Sequence, residues 1–386
     1  MILLYACRIF ADDERAQYPK FVANSYLEFN TGYIDFPFSD SQLQPPFQTH
    51  TVHFSHGGMR FVLGHAFSKI LSAQLSYMKP FSQPVYEIIN GNTSDHSVWM
   101  HIGGITLKTT APIGRRFSVY GEGGFALITR RGFDINNITA VQNANYGSVL
   151  VGSGFEYSLH SNWNLVASIS YVPSSEKFNQ PSTIFLSGGV RYTFLPLADD
   201  RVQESLSTPY IFPRNMIQAG YSTNTFGYGT NNFLSEKPVA IFFGGKAEVE
   251  HGLWFRYQRN VFHTRKFFSF DIGTSYGNWK SDKDKITFST LSVYPLFRLT
   301  LLHSNPLDLY FNYSLAGPTC ISETLIDDQN IGKNFTFQDF LGMGVFFGKK
   351  RNLNAEINLN HYSNGNIFPA NDAVKVPLTF SLGYTF

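Results

Sequence analysis

Trp163-Asn164-Leu165-Val166-Ala167-Ser168-Ile169-Ser170-Tyr171 alternates with a period of two, one face apolar or aromatic and the other mostly small and polar. The stretches Leu71-Ser72-Ala73-Gln74-Leu75-Ser76-Tyr77 and Leu307-Asp308-Leu309-Tyr310-Phe311-Asn312-Tyr313-Ser314-Leu315 behave in the same way. Successive side chains on a strand point to opposite faces, so each stretch reads as a strand with two different surroundings. A soluble sandwich alternates as well. Three features favour a transmembrane barrel: the apolar face often ends in Tyr, Trp or Phe, the polar face is small and hydrogen-bonding, and the segments reach the roughly 10 residues that cross a bilayer when tilted. The reading is lipid outside and a polar interior.

Composition agrees with strands. The 386 residues are 43% hydrophobic and 15% charged, and the mean hydropathy of -0.13 is not that of a helical membrane protein. No run approaches the 18 or so apolar residues of a spanning helix. Aromatic residues make up 16% and glycines number 32, a mixture that favours pleated strands and tight turns. The net charge of +2 comes from scattered Lys and Arg, which argues against a nucleic-acid partner. Cys7 and Cys320 lie far apart without metal-like spacing, so neither a disulfide framework nor a zinc site is expected, and nothing calls for a cofactor. Met1 to Ala11 is apolar with a small residue at its end; residues 1–21 read as the remainder of an export signal or a disordered terminus.

Two strand ends repeat one another. Leu186-Ser187-Gly188-Gly189-Val190-Arg191-Tyr192-Thr193-Phe194 and Phe380-Ser381-Leu382-Gly383-Tyr384-Thr385-Phe386 both alternate aromatics and stop on Tyr-Thr-Phe. The second resembles the closing strand of bacterial outer-membrane proteins, and the first is the same signature in mid-chain. Between them the charged, Pro-bearing stretch LPLADDRVQESLSTPYIFPR shows no alternation and reads as a linker. The expected fold is all-β, with two tandem transmembrane antiparallel up-and-down barrels of about eight strands each. The domains are then 22–194, a periplasmic linker at 195–213, and 214–386. Strands are predicted near 24–36, 56–66, 70–79, 98–109, 116–127, 146–158, 163–172 and 184–194. In the second half they fall near 214–227, 238–260, 265–279, 286–302, 306–316, 335–348, 351–364 and 376–386. A single barrel of about sixteen strands is the alternative. The first half, with Gly57-Gly58-Met59-Arg60-Phe61 and Phe117-Ser118-Val119-Tyr120-Gly121-Glu122-Gly123-Gly124, resembles the OmpA-like small outer-membrane barrels.

Chemistry concentrates in the penultimate predicted strand. If the first strand of the second half rises from the periplasm, the seventh, 351–364, ends on the extracellular side. Leu353, Ala355, Ile357 and Leu359 share a face with His361 and Ser363, while Asn354, Glu356, Asn358 and Asn360 share the other. His361 and Ser363 therefore project outward at the level of the outer leaflet, where polar side chains suit a lipid substrate. A neighbouring imidazole can take the proton of a serine hydroxyl, and the side-chain amide of Asn364 is a candidate donor to an oxyanion. The spacing alone carries no weight, since His53-Phe54-Ser55 has it too.

The run His361-Tyr362-Ser363-Asn364, then Pro369, Asn371-Asp372 and a strand ending at Phe386, resembles the lipid A 3-O-deacylase (PagL-type) outer-membrane enzymes. The likeness extends more faintly through Gly252-Leu253-Trp254, Ser275-Tyr276-Gly277 and Phe337-Gln338-Asp339-Phe340-Leu341-Gly342. It implies an eight-stranded barrel with a Ser-His-acid triad on its lipid-facing surface that removes the ester-linked acyl chain at position 3 of lipid A. Ser363 is then the nucleophile, His361 the general base and Asn364 the oxyanion donor. The family's acid is a glutamate, and the aligned residue here is Lys375, which cannot orient an imidazole as a carboxylate does. Asp372, in the same loop, is the nearest substitute. Lys375 is left as a contact to lipopolysaccharide. The implied partners are lipid A and outer-membrane lipid, and the likeness also suggests a homodimer. The competing functions are a structural or adhesive barrel with an impaired site, and a small channel. The channel is disfavoured because barrels of this size fill their interiors, with Arg191, Asp271, Arg298 and Asp308 as expected plugs. The cluster Lys349, Lys350 and Arg351 is expected as a solvated periplasmic turn.

Overall fold

A computed structural model describes residues 15–49, 51–91, 94–235 and 243–386. Among them the chain forms two closed antiparallel barrels of eight strands each, in two compact units. The first barrel comprises β1 (Ser25–Asp35), β2 (Gly57–Ala66), β3 (Leu71–Pro80), β4 (Trp99–Pro112), β5 (Phe117–Arg131), β6 (Ala144–Ser158), β7 (Trp163–Val172) and β8 (Thr183–Thr193), each paired with its chain neighbour, and β8 closing on β1. The second comprises β9 (Asn215–Thr223), β10 (Ala247–His263), β11 (Phe268–Ser281), β12 (Thr287–His303), β13 (Leu307–Ile321), β14 (Phe335–Phe347), β15 (Leu353–Ser363) and β16 (Val374–Thr385), with β16 closing on β9. The sixteen-stranded alternative is excluded, because each half completes its own ring of backbone hydrogen bonds. The mid-chain Tyr192-Thr193-Phe194 ending is the end of a real closing strand.

Alternation becomes two solvents, as the sequence demands. In the second barrel Leu253, Phe255, Tyr276, Leu291, Val293, Met343, Ile357, Phe380 and Leu382 point outward and stay exposed, while Trp254, Arg256, Ser275, Gly342, Glu356 and Ser381 alternate with them inside. A continuous belt of large apolar side chains on a closed barrel is stable in hydrocarbon and not in water. In the first barrel Phe29, Leu63, Leu75, Ile105, Leu107, Val151, Phe155 and Leu186 form the corresponding belt. No helix among the described residues is long and apolar enough to cross a membrane, a statement about helices only.

Both interiors are lined by paired charges. In the first, Arg60 forks onto Glu122 at 2.5 and 3.0 Å, Arg191 bridges Glu28 and Glu156, and Lys108 joins Glu156. In the second, Glu356 takes bonds from Arg256 at 2.6 Å, Tyr310 at 2.7 Å and Asn312 at 2.9 Å, and Arg298 pairs with Asp271 at 2.7 Å. A carboxylate taken out of water needs such partners on every lone pair. Arg351 departs from the expected solvated turn: it is buried, forks onto Asp308 at 2.6 and 3.0 Å, and donates to the carbonyls of Ser304, Asn305 and Gly348.

In the second barrel the connections at one end, 264–267, 304–306 and 348–352, are all short, whereas at the other end 224–246, 322–334 and 364–373 are long and 282–286 is short. Short turns on one side and long loops on the other match periplasmic and extracellular ends. The end of β15 lies on the long-loop side. Within the expected linker, Asp199–Leu206 forms a short helix, α1. Of the expected terminal segment, residues 1–14 lie outside the described residues; Arg15 donates to Phe212 O and Asn260 Oδ1, both at 3.1 Å, against the second barrel. The expected strand 238–260 is observed from Ala247, and 238–242 lie outside the described residues.

Arg256→Ala should destabilise the second barrel by about 3–5 kcal/mol, because Glu356 would keep a buried charge without its partner. Urea titration of the protein refolded in detergent micelles measures this. A loss below about 1 kcal/mol would mean the pair behaves as an exposed one.

Candidate active site

Strand β15 carries the candidate residues, and its inner face fixes them. Tyr362 points inward and is almost fully buried. Its hydroxyl accepts from Gln338 Nε2 and Thr290 Oγ1, both at 3.1 Å, and Thr290 in turn accepts from Trp279 Nε1 at 3.0 Å. Such a layer leaves the strand end little freedom, which a site on its other face requires.

On that other face the cross-strand register forms a row. Asp339 of β14 lies opposite His361, His361 lies opposite Lys375 of β16, and Lys375 lies opposite Glu248 of β10. All four have outward parity, so a line of polar and charged groups crosses a wall that is apolar below it. Ser363 is two residues beyond His361 on the same face, opposite Phe337. Among the described residues its hydroxyl has no hydrogen-bond partner.

His361 has the expected parity but not the expected exposure: it is 3% exposed. Asp339 and Lys375 flank it, and the Phe243 ring stands 6.0 Å from its own. Its Nδ1 lies 3.5 Å from Asp339 Oδ2 and is buried without a hydrogen bond. The opposite carboxylate oxygen, Oδ1, accepts the backbone N–H of Ala316 at 2.6 Å. That N–H is free to do so because the β13–β14 register shifts between Ser314 and Gly317, and Ala316 sits in the left-handed region at φ 54°. A bulge of this kind leaves one residue unpaired with its neighbour strand and re-aims it.

The remaining sequence-derived residues do other work. Asp372, expected as the substitute acid, accepts the Asn330 N–H at 2.9 Å and pairs with Lys246 at 2.7 Å, tying loops together. Asn364, expected as the oxyanion donor, spends both amide hydrogens on the carbonyls of Ile331 at 2.9 Å and Ala370 at 2.7 Å, while its backbone N–H goes to Asn371 Oδ1 at 3.0 Å. Two carbonyl partners fix which atom is nitrogen, and an –NH2 has only two hydrogens to give. The amide is a loop clamp in this arrangement. Lys375 was expected in the loop, but β16 starts at Val374 and includes it, because the register shifts between Asn358 and Asn360 where Pro377 interrupts the ladder. It is 9% exposed and committed to Glu248 Oε1 at 2.7 Å and Asn232 Oδ1 at 3.3 Å, with its ammonium 4.9 Å from the Tyr228 ring centre. That leaves its charge matched within the protein rather than offered to a phosphate. Glu356 points inward as expected.

Sequence reasoning passed over Asp339 although parity could have found it. Phe337, Asp339, Leu341 and Met343 share one face of β14, and an acid among them stands out on a wall turned to lipid. A concavity on the same barrel, lined by Ile217, Phe255, Tyr276, Leu291, Leu382 and Tyr384 among others, does not include His361 or Ser363. No group of three or more His, Cys, Asp or Glu among the described residues is arranged to hold a metal ion.

Two closed barrels with apolar belts, filled interiors and long loops at one end define a protein of the bacterial outer membrane, and known families match each half. Residues 245–385 match the family model described as lipid A 3-O-deacylase (PagL), and residues 15–194 match that of the outer membrane protein beta-barrel domain. The second half thus resembles the PagL-type enzymes and the first half the OmpA-like barrels. Similar solved structures include the outer membrane enzyme PagL, at 17% identity over 45% of this chain and 99% of that one, with a TM-score of 0.31. The N-terminal β-barrel domain of Pseudomonas aeruginosa OprF is 14% identical over 45% of this chain and 98% of that one, at a TM-score of 0.29. Neisserial surface protein A has the same identity, coverage and TM-score. Among curated proteins none matches.

Asn364→Ala should leave the Ile331 and Ala370 carbonyls without donors, a local cost of about 1–3 kcal/mol. Amide hydrogen exchange in 365–373 should accelerate at least several-fold; unchanged exchange would contradict the clamp.

Proposed function

We propose that the second barrel is an outer-membrane esterase that hydrolyses the 3-O-linked acyl chain of lipid A, with Ser363 as nucleophile and His361 as general base. The observation that carries this reading is the pair His361 and Ser363 on the lipid-facing side of β15, at the long-loop end of a barrel whose residues 245–385 match the lipid A 3-O-deacylase model. An apolar wall gains nothing from an imidazole beside a serine unless the ester comes to that wall. Lipid A in the outer leaflet brings its acyl chains alongside Met343 and Ile357 and its ester bonds to the level of the strand end.

The chemistry runs in two steps. Ser363 Oγ attacks the ester carbonyl as His361 takes its proton, and the tetrahedral intermediate collapses by expelling the sugar 3-oxygen, which His361 reprotonates. Water, deprotonated by the same imidazole, then releases the fatty acid from Ser363. Because Asn364's amide is occupied, the oxyanion is stabilised either by backbone N–H groups in the turn after Ser363 or by an amide that leaves Ile331 or Ala370 on substrate binding.

The competing reading, a structural or adhesive barrel with a spent site, rests on the lysine at the family's acid position. The two part on one experiment. Mass spectrometry of lipid A from cells expressing the chain should show loss of one 3-hydroxyacyl group, and Ser363→Ala and His361→Ala should abolish that loss at equal surface expression. Unchanged lipid A with the folded wild-type protein in the outer membrane would favour the structural reading.

A further inference from the structure

We infer that the acid of the site has moved across β15: Asp339 of β14, not a residue of the β16 loop, is the positioning carboxylate that holds His361 for proton transfer from Ser363. The inference rests on the esterase reading above and adds to it the identity of the third group.

An imidazole has two neighbouring strands and therefore two places from which a carboxylate can reach it. On the β16 side the register puts Lys375 opposite His361, and that lysine is turned to Glu248 at 2.7 Å. On the β14 side it puts Asp339, whose Oδ2 stands 3.5 Å from His361 Nδ1. The nitrogen facing the acid is Nδ1, which leaves Nε2 as the one to serve the serine, the division of labour that a Ser-His-acid system requires. Nδ1 is buried and otherwise unpartnered, so a polar atom that would be costly to leave bare is aimed at one carboxylate. A closure of a few tenths of an ångström completes the bond, and such bonds tighten when substrate arrives. Asp339 is itself held: Ala316 N–H fixes Oδ1 from the bulge in β13, which turns Oδ2 toward the ring.

The row Asp339, His361, Lys375, Glu248 also explains how a lysine is tolerated beside the base. Glu248 matches its charge, so the imidazolium that forms during reaction faces an anion on one side and a neutralised pair on the other. Asp339 touches no reacting atom. Its role is to select the tautomer and stabilise the charged ring.

Asp339→Asn keeps an oxygen for Ala316 N–H but offers His361 an –NH2 instead of a carboxylate, which favours the wrong tautomer. It should lower kcat for deacylation about 10²- to 10⁴-fold with KM little changed. Asp339→Glu should recover part of the rate. The sharper variant restores an acid on the other side: adding Lys375→Glu to Asp339→Asn should raise kcat again, an effect that a merely structural Asp339 would not show. Full activity of Asp339→Asn, with Ser363→Ala inert, would overturn the inference while leaving the esterase reading intact. A readout independent of turnover is proton-detected NMR of ¹⁵N-histidine-labelled protein in micelles. The His361 Nδ1–H signal, assigned by its absence in His361→Gln, should persist in Ser363→Ala and vanish or move strongly in Asp339→Asn. The same signal unchanged in Asp339→Asn would overturn the inference even if wild-type deacylation were absent.

Discussion

A residue on a closed barrel strand points either to lipid or into the lumen, and the register with two neighbours decides which side chains stand beside it. Everything proposed for this chain depends on that constraint. It puts Glu356 among Arg256, Tyr310 and Asn312 inside, and it puts His361, one parity step away on the same strand, between Asp339 and Lys375 outside. A one-residue slip of β15 would exchange the two environments, burying the imidazole in the lumen network and turning a carboxylate to lipid. The inner layer of Tyr362, Gln338, Thr290 and Trp279 opposes that slip, because each hydroxyl or amide there has a partner only in the observed register.

The same constraint separates structural charge from chemical charge. Lumen ions are paired with one another, as Arg256 is with Glu356 and Arg298 with Asp271, and face away from the lipid side; their contribution is to fill the barrel, which argues against conduction. Outward ions are rarer, and Asp339, His361, Lys375 and Glu248 form one row of them at the loop end. There the pairing is looser: Nδ1 of His361 sits 3.5 Å from its acid, and the Ser363 hydroxyl has no hydrogen-bond partner among the described residues. A fully satisfied network rigidifies, whereas a site must keep a nucleophile and a base with bonds still to make.

Much of the fold was legible because a period of two is an uncompromising signal. The alternations of seven to nine residues gave both barrels, and the repeated Tyr-Thr-Phe endings divided them. The limits of β10 and β16 were less visible: β16 was expected from 376, after Lys375, yet a register shift at Pro377 lets the strand reach back to Val374. That shift decides the chemistry, moving Lys375 from a loop into the wall beside His361. Asn364 misled for a different reason. A side-chain amide next to a serine suits an oxyanion, but the carbonyls of Ile331 and Ala370 that occupy it come from loop geometry that spacing cannot express. Asp339 was missed because the acid was sought along the chain from the serine, whereas strand pairing brings its nearest carboxylate from β14.

The most direct measurement is covalent labelling of the purified protein in detergent with a lipophilic fluorophosphonate, followed by peptide mass spectrometry. A serine activated by its neighbouring base displaces fluoride and keeps the phosphonyl group. The account predicts one adduct, on Ser363, absent in His361→Ala. No adduct on the folded wild-type protein, or labelling of Ser363 that is indifferent to His361, would contradict it.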